Sequence, residues 1–306
     1  MIIKESVSLG SRTTFGIGGR ARYYVEVASE SEILEAVRWA GERKARFVIL
    51  AGGSNVLVPD GGLDALVIVV VSNGFSFRGN TLEAEAGCNL FALIRAASER
   101  GLGGWEKLAG IPGTLGGAVR GNAGAFGPEI KDFTERVRAL NTHTGDVREF
   151  KNAECDFSYR QSFFKKNSQW VITRALIELE RVETGDSAGL IERTIAEREK
   201  RHIQNVRAAG SYFVNPVVPR GIQEQFEKEK GAPSREGRVP AGWLIEKAGL
   251  KSARVGDAVA SEQHPNYLKN DGNATAEDVR RLAELIKTTV KEKFGVTLEE
   301  EAAIFS

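Results

Sequence analysis

Residues 107–127 read KLAGIPGTLGGAVRGNAGAFG and hold seven glycines, Gly110, Gly113, Gly116, Gly117, Gly121, Gly124 and Gly127. A glycine in a helix interior costs about 1 kcal/mol relative to alanine, so the run predicts tightly folded loop rather than helix. Leu108, Ile111, Leu115, Val119 and Phe126 interrupt it, which a flexible linker would not need. Glycines between apolar anchors describe backbone pressed closely against a partner, and such loops present N–H groups to anions. A second loop of this kind, Ala51, Gly52, Gly53, Ser54 and Asn55, follows the strand-like run 46–50. Together they predict a large phosphorylated cofactor held mainly by backbone.

Periodicity predicts the elements that must position these loops. Ile33, Leu34, Val37, Trp39 and Ala40 make one broad apolar face, so 29–44 reads as a helix, with Ser31 as its cap. Strands are predicted at 46–50, 65–71, 81–86, 137–140, 147–150 and 170–176, a helix at 89–100 and a turn at 142–146. A charged helix at 188–201 reads as a hinge into a last unit with helices at 242–248 and 276–294. Thr275 caps the second of these and Gly295 stops it. Residues 296–305 read as a closing strand. The predicted divisions are 1–66, 67–203 and 204–306, with 296–306 returning towards the active site.

Composition narrows the function. Lys and Arg number 42 against 41 Asp and Glu, a net charge of +1, which argues against a dedicated nucleic-acid binder. Cys88 and Cys155 stand far apart, so a disulfide framework is not expected and a reducing cytoplasm is. The first residues carry no basic and apolar leader pattern, and the apolar run 65–71 is strand-length, so neither signal peptide nor membrane span is expected. The histidines are His143, His202 and His264, with no Cys/His cluster for zinc. No phosphate loop of the G-x-x-x-x-G-K-[ST] type is present. Gly16, Gly18 and Ala21 fit G-x-G-x-x-A, but the residues after them alternate like a strand, which argues against the dinucleotide-fold reading.

Taken in order, the motifs resemble the UDP-N-acetylenolpyruvoylglucosamine reductase family over nearly the whole chain. Residues 14–19 (TFGIGG) resemble its opening segment, 52–57 (GGSNVL) its first flavin loop, and 108–118 with 122–125 its second. Tyr159, Arg160 and Ser162 match a Y-R-x-S element, and 209–216 match A-G-S-x-F-x-N-P. Residues 241–246, 273–275 and 298–301 match the closing units. The resemblance implies an α+β chain, with a two-subdomain FAD-binding fold of the vanillyl-alcohol-oxidase type followed by a separate α+β substrate-binding domain. It implies non-covalent FAD, NADPH as co-substrate, and a UDP-N-acetylglucosamine enolpyruvyl ether as substrate. No nucleic acid, membrane or oligomer is implied. The cofactor residues carried over are Gly52, Gly53, Ser54, Asn55, Gly110, Ile111, Pro112, Gly113, Thr114, Gly116, Gly117, Asn122, Ala123 and Gly124. The segment between Arg160 and Ser211 is short, so the chain resembles the compact branch without the tyrosine-bearing insertion. Ala303 stands where the family often has an arginine, Val206, Arg207 and Ala208 where a proline turn is common, and Ala51 where a glycine is usual.

The family's reaction passes a hydride from NADPH to the flavin and on to substrate C3, with a proton added at C2. Carbanion character at C2 spreads into the carboxylate, so a cation and a proton donor are required there. The resemblance assigns the first role to Arg160, whose fork suits a carboxylate, and the second to Ser211. Outside the motif, Arg160 reads as a surface ion-pair residue and Ser211 as a turn serine. Glu301 is the third catalytic candidate. Alternation along 299–301 leaves Glu299, Glu300 and Glu301 open, and only the family register selects Glu301. Tyr159, Asn215, His264 and Lys251 are the substrate-binding candidates. The basic residues Arg198, Lys200, Arg201 and Arg207 read either as UDP phosphate contacts or as solvated charge. Two other readings are another FAD-dependent oxidoreductase of this fold and a non-catalytic UDP-sugar-binding relative. Several oxidases of the fold hold flavin through a histidine, and no histidine lies in either glycine loop.

Overall fold

The helix Glu30–Glu42 forms because Ser29, in extended conformation, accepts the Glu32 N–H, a cap worth about 1 kcal/mol. Ser31 is therefore not the cap; its hydroxyl pairs with that of Ser29 at 2.9 Å. The structure is a computed structural model describing residues 1–201 and 203–305, so His202 and Ser306 lie outside the described residues. The chain divides into two units, one of Met1–Val7, Ala21–Gly52 and Asp64–Lys200, the other of Ser8–Arg20, Gly53–Leu63 and the chain from Arg201 on.

The first unit contains two larger sheets besides the two-stranded pair Leu102–Gly103 and Glu180–Arg181. One has the strand order Lys4–Ser8, Arg20–Val27, Leu63–Val70, Arg46–Leu50, and its last two strands run parallel. Leu63–Val70 crosses the boundary expected at 66/67, because all eight of its residues lie in this sheet. The other sheet is antiparallel, ordered Val147–Lys151, Thr134–Asn141, Trp170–Glu178, Thr81–Glu85, Phe75–Arg78. Successive residues of a strand face opposite ways. Leu82, Ala84, Val137, Ala139, Ala175 and Ile177 are accordingly buried in the core. Arg136, Arg138, Arg174, Glu83 and Glu149 make ion pairs with one another and with Glu30 and Glu85.

Within the glycine run, Leu115–Gly121 is helical, contrary to the loop expected there. Thr114 caps it, and Gly116 lets it sit close to the chain beside the second sheet: a Cβ there would lie 2.8 Å from the Ala86 Cβ. Packing outweighs the propensity cost over so short a stretch.

The second unit is built on the helices Arg220–Lys230, Ala241–Lys247 and Ala276–Phe294 and the small sheet Arg254–Val255, Ala258–Ala260, Leu268–Asn270. Phe15, Tyr212, Phe213, Trp243 and Leu244 fill its core. Segment 53–63 belongs here because the Asp60 carboxylate accepts the Ala276 and Glu277 N–H groups at 2.8 and 3.2 Å. Glycine-rich 16–19 precedes the strand Arg20–Val27 and not a helix, as its alternation predicts. The closing strand is shorter than expected. Only Ala303–Ile304 forms one, parallel to Val56–Leu57, while residues 299–301 pair irregularly with 212–214.

Candidate active site

In the first unit the two glycine loops touch. A Cβ on Gly52 would lie 2.7 Å from the Gly113 Cα, so Gly52 tolerates no side chain at that contact. A Cβ on Gly117 would be 3.6 Å from the Ala51 Cβ. Gly113 follows Ile111, whose N–H bonds the Leu108 carbonyl, and exposed Pro112. The N–H groups of Gly116 and Leu115 are spent on Ala86 and Cys88 carbonyls, and that of Ala123 on Ala118. Those of Gly52, Gly113 and Thr114 have no acceptor among the described residues. Unspent donors at the junction of two loops fit the pyrophosphate of a dinucleotide such as FAD. Arg198, 4 % exposed, lies beside Gly110, where a Cβ would come within 2.8 Å of its Nε; the sequence offered it only as one of several basic residues.

Arg160 belongs to the same unit. Residues 158–161 form a tight turn, with the Gln161 N–H on the Ser158 carbonyl at 3.0 Å. Arg160 takes φ 59° there, a left-handed conformation costing an ordinary residue about 1–2 kcal/mol. Its Nη2 donates to the Gly124 carbonyl at 3.0 Å, and its guanidinium carbon sits 5.1 Å from the centre of the Tyr159 ring. Ser162 is buried, donates to the Arg120 carbonyl at 2.7 Å and caps the short helix Phe163–Lys166. The Y-R-x-S element is thus a strained turn sewn to the glycine run.

The second unit carries the other candidates. Ser211 follows Gly210, is half-buried, and its hydroxyl has no partner among the described residues. The next carbonyl, of Tyr212, accepts the Glu301 N–H at 2.7 Å, so the chain segments bearing Ser211 and Glu301 are adjacent. Asn55 joins them, its amide donating to the Glu301 carbonyl at 3.3 Å. Gly53, Ser54 and Asn55 fall in this unit, and a Cβ on Gly53 would lie 2.0 Å from the Arg12 carbonyl oxygen. Glu300 instead pairs with Lys287 at 3.2 Å.

Asn266, which the sequence did not single out, holds this segment in shape. Buried to 2 %, it accepts from the Phe213 N–H at 2.9 Å and donates to the Phe213 carbonyl at 2.8 Å. The signal for it was an asparagine two residues past His264. Asn215 caps the helix Ala241–Lys247 through its side-chain oxygen on the Ala241 N–H at 2.9 Å. His264 packs edge-on to Tyr267, and its Nδ1 is buried without a partner among the described residues. Burial, reinforced by the charge of Arg201, holds its imidazole below the usual range and so neutral. Lys251 makes an exposed ion pair with Glu246 at 2.7 Å. Cys88 and Cys155 are buried and unpaired; burial pushes the Cys155 thiol up to about 12.

A family model described as UDP-N-acetylenolpyruvoylglucosamine reductase, C-terminal domain, matches residues 201–305, and one described as FAD binding domain matches 21–151. The chain is 36 % identical over 306 residues to the UDP-N-acetylenolpyruvoylglucosamine reductase of Solibacter usitatus, covering 98 % of this chain and 96 % of that one. It belongs to the UDP-N-acetylenolpyruvoylglucosamine reductase family. The enzyme of that name from Caldicellulosiruptor bescii is 39 % identical over 292 residues, covering 94 % of this chain and 86 % of the relative. The crystal structure of the Thermus caldophilus reductase superposes with a TM-score of 0.79 at 30 % identity, covering both chains completely. A reductase of this family is an FAD-dependent oxidoreductase, built as an FAD-binding region followed by a separate C-terminal substrate domain. The free N–H groups of Gly52, Gly113 and Thr114 lie in its FAD-binding part. Among the described residues, no helix is long and apolar enough to cross a membrane.

Proposed function

We propose that the chain reduces the enolpyruvyl ether of UDP-N-acetylglucosamine to UDP-N-acetylmuramate at the expense of NADPH. Family membership supports the reaction, and one observation carries the reading to particular residues. Arg160 is held in a strained turn with its guanidinium bonded to the glycine run. Bound FAD supplies the hydride relay between NADPH and the enolpyruvyl double bond.

Arg160 grips the substrate carboxylate while charge builds on it, which favours addition of hydride at C3. The Ser211 hydroxyl gives its proton to C2, and Glu301 steadies the carboxylate or orients Ser211. Tyr159, Asn215, His264 and Lys251 remain the proposed substrate contacts. The side-chain nitrogen of Asn215 is without a partner among the described residues, and neutral His264 offers an uncharged ring nitrogen. Gly52, Gly53, Ser54, Asn55, Gly110, Ile111, Pro112, Gly113, Thr114, Gly116, Gly117, Ala123 and Gly124 are the proposed FAD contacts. We place the reaction in the cytoplasm, a reading that a nucleotide-sugar substrate and two cysteines without a disulfide support.

The test is spectroscopic. Purified protein should be yellow, lose its flavin bands on anaerobic addition of NADPH, and regain them on addition of the enolpyruvyl substrate. Colourless protein that takes up no FAD contradicts the reading, as does flavin that NADPH leaves oxidised.

A further inference from the structure

The turn bearing Arg160 does not hold itself. Its third position, with φ 59°, is one where turns favour glycine. Two side chains outside the turn meet it. The Lys165 ammonium donates to the Arg160 carbonyl at 2.9 Å, fixing that peptide. Asn122 meets it from the glycine run. It is completely buried and itself left-handed, at φ 43°. Its amide nitrogen donates to the Ser158 carbonyl at 2.9 Å, at the start of the turn, and to Glu129 Oε2 at 2.9 Å. Its side-chain oxygen accepts the Lys131 N–H at 3.2 Å, and its main-chain carbonyl accepts from Arg160 Nη1 at 3.5 Å.

Every polar group of the Asn122 side chain is therefore spent on protein. The family resemblance groups Asn122 with the cofactor contacts, but its N–H donates to the Val119 carbonyl at 3.2 Å and its own carbonyl meets Arg160, so its polar groups serve the protein instead. Glu129 and the Lys131 N–H together fix which way the amide faces: the carboxylate requires a donor and the N–H an acceptor. The amide thus holds the start of the turn while the carbonyl of the same residue meets the guanidinium.

We infer that Asn122 and Lys165 are positioning residues for Arg160, setting the place of its guanidinium without touching substrate. The inference rests on the reading of Arg160 as the group that holds the substrate carboxylate. A misplacement of about 1 Å at such a group lowers a rate by about a hundredfold. Flavin reduction by NADPH makes no use of a substrate carboxylate, so the two half-reactions separate positioning from general damage.

The experiment is anaerobic stopped-flow on FAD-loaded enzyme carrying Asn122→Ala, Lys165→Met, Arg160→Lys, or Lys165→Met with Arg160→Lys. Reduction by NADPH should stay within about twofold of wild type in Lys165→Met. Reoxidation by the enolpyruvyl substrate should slow about tenfold in Lys165→Met and about a hundredfold in Asn122→Ala, in the limiting rate more than in the half-saturating concentration. In the Arg160→Lys background, Lys165→Met should cost nothing further. If Asn122→Ala does not fold, the two Lys165→Met comparisons decide. Wild-type reoxidation in Lys165→Met beside a slow Arg160→Lys overturns the positioning role and leaves the Arg160 reading intact. Equal loss in both half-reactions also overturns it. Wild-type reoxidation in Arg160→Lys removes the reading itself and the inference with it.

Discussion

Gly52 lies against Gly113: a Cβ on the first would approach the Cα of the second to 2.7 Å. This contact joins two loops that are far apart in sequence and leaves the N–H groups of Gly52, Gly113 and Thr114 without acceptors among the described residues. Gly52→Val should force the loops apart and weaken FAD binding at least about a hundredfold while the protein stays folded. Gly121, in the same glycine run, has nothing within 4 Å of the place a methyl group would take, so Gly121→Ala should remain yellow and gain up to about 1 kcal/mol. Visible absorbance and thermal melts check both, and a fully yellow Gly52→Val variant removes the loop junction from the FAD site. Gly116→Val reports something else, because its Cβ meets Ala86: it should lower the melting temperature before it bleaches the protein.

The left-handed backbone at Arg160 predicts an order of stabilities. Alanine keeps the steric cost of φ 59° and glycine does not, so Arg160→Gly should be more stable than Arg160→Ala by about 1 kcal/mol. Both should slow reoxidation by substrate alike. An alanine variant as stable as the glycine variant shows that the turn relaxes when the guanidinium is removed.

Adjacent acids at the end of the chain divide in role. Glu300 is held by Lys287 at 3.2 Å, so Glu300→Gln should keep wild-type reoxidation and lose at most about 1 kcal/mol of stability. Glu301→Gln should slow reoxidation and retain FAD. Stopped-flow on the pair settles the register, and the opposite pattern transfers the catalytic assignment to Glu300.

His264 gives stability a pH dependence. Burial, aided by Arg201, keeps its folded-state value below the usual 6.5, so the unfolded chain takes up the proton first. Its contribution is fully present above about pH 6.5 and is lost as pH falls from there towards the lower folded value. His264→Gln should therefore flatten the dependence of melting temperature on pH between about pH 7 and pH 5. An unchanged slope means that other groups carry it.

Features set by neighbouring residues were legible in the sequence. The helix Ala276–Phe294 begins at Thr275 and ends at Gly295 as predicted, because cap and stop are local signals. Apolar alternation likewise located the strands on either side of the turn at 142–146. Features set by distant partners were not. Segment 53–63 joins the second unit through Asp60 and the Ala276 N–H, and no local pattern announces that bond. The helix Leu115–Gly121 has poor propensity and forms because Gly116 fits against Ala86. Motif order pointed to Arg160 in one unit and to Ser211 and Glu301 in the other, yet Lys165, five residues past Arg160, and Asn266, far in sequence from Phe213, act through hydrogen bonds and carry no motif of their own.

The most direct test is anaerobic mixing of NADPH-reduced enzyme, freed of nicotinamide, with the enolpyruvyl ether of UDP-N-acetylglucosamine. Flavin absorbance should return in one stoichiometric phase with formation of UDP-N-acetylmuramate, and Ser211→Ala should slow that phase by several orders of magnitude while leaving reduction by NADPH unchanged. Reduced wild-type enzyme that stays bleached until oxygen is admitted would contradict the proposed reaction.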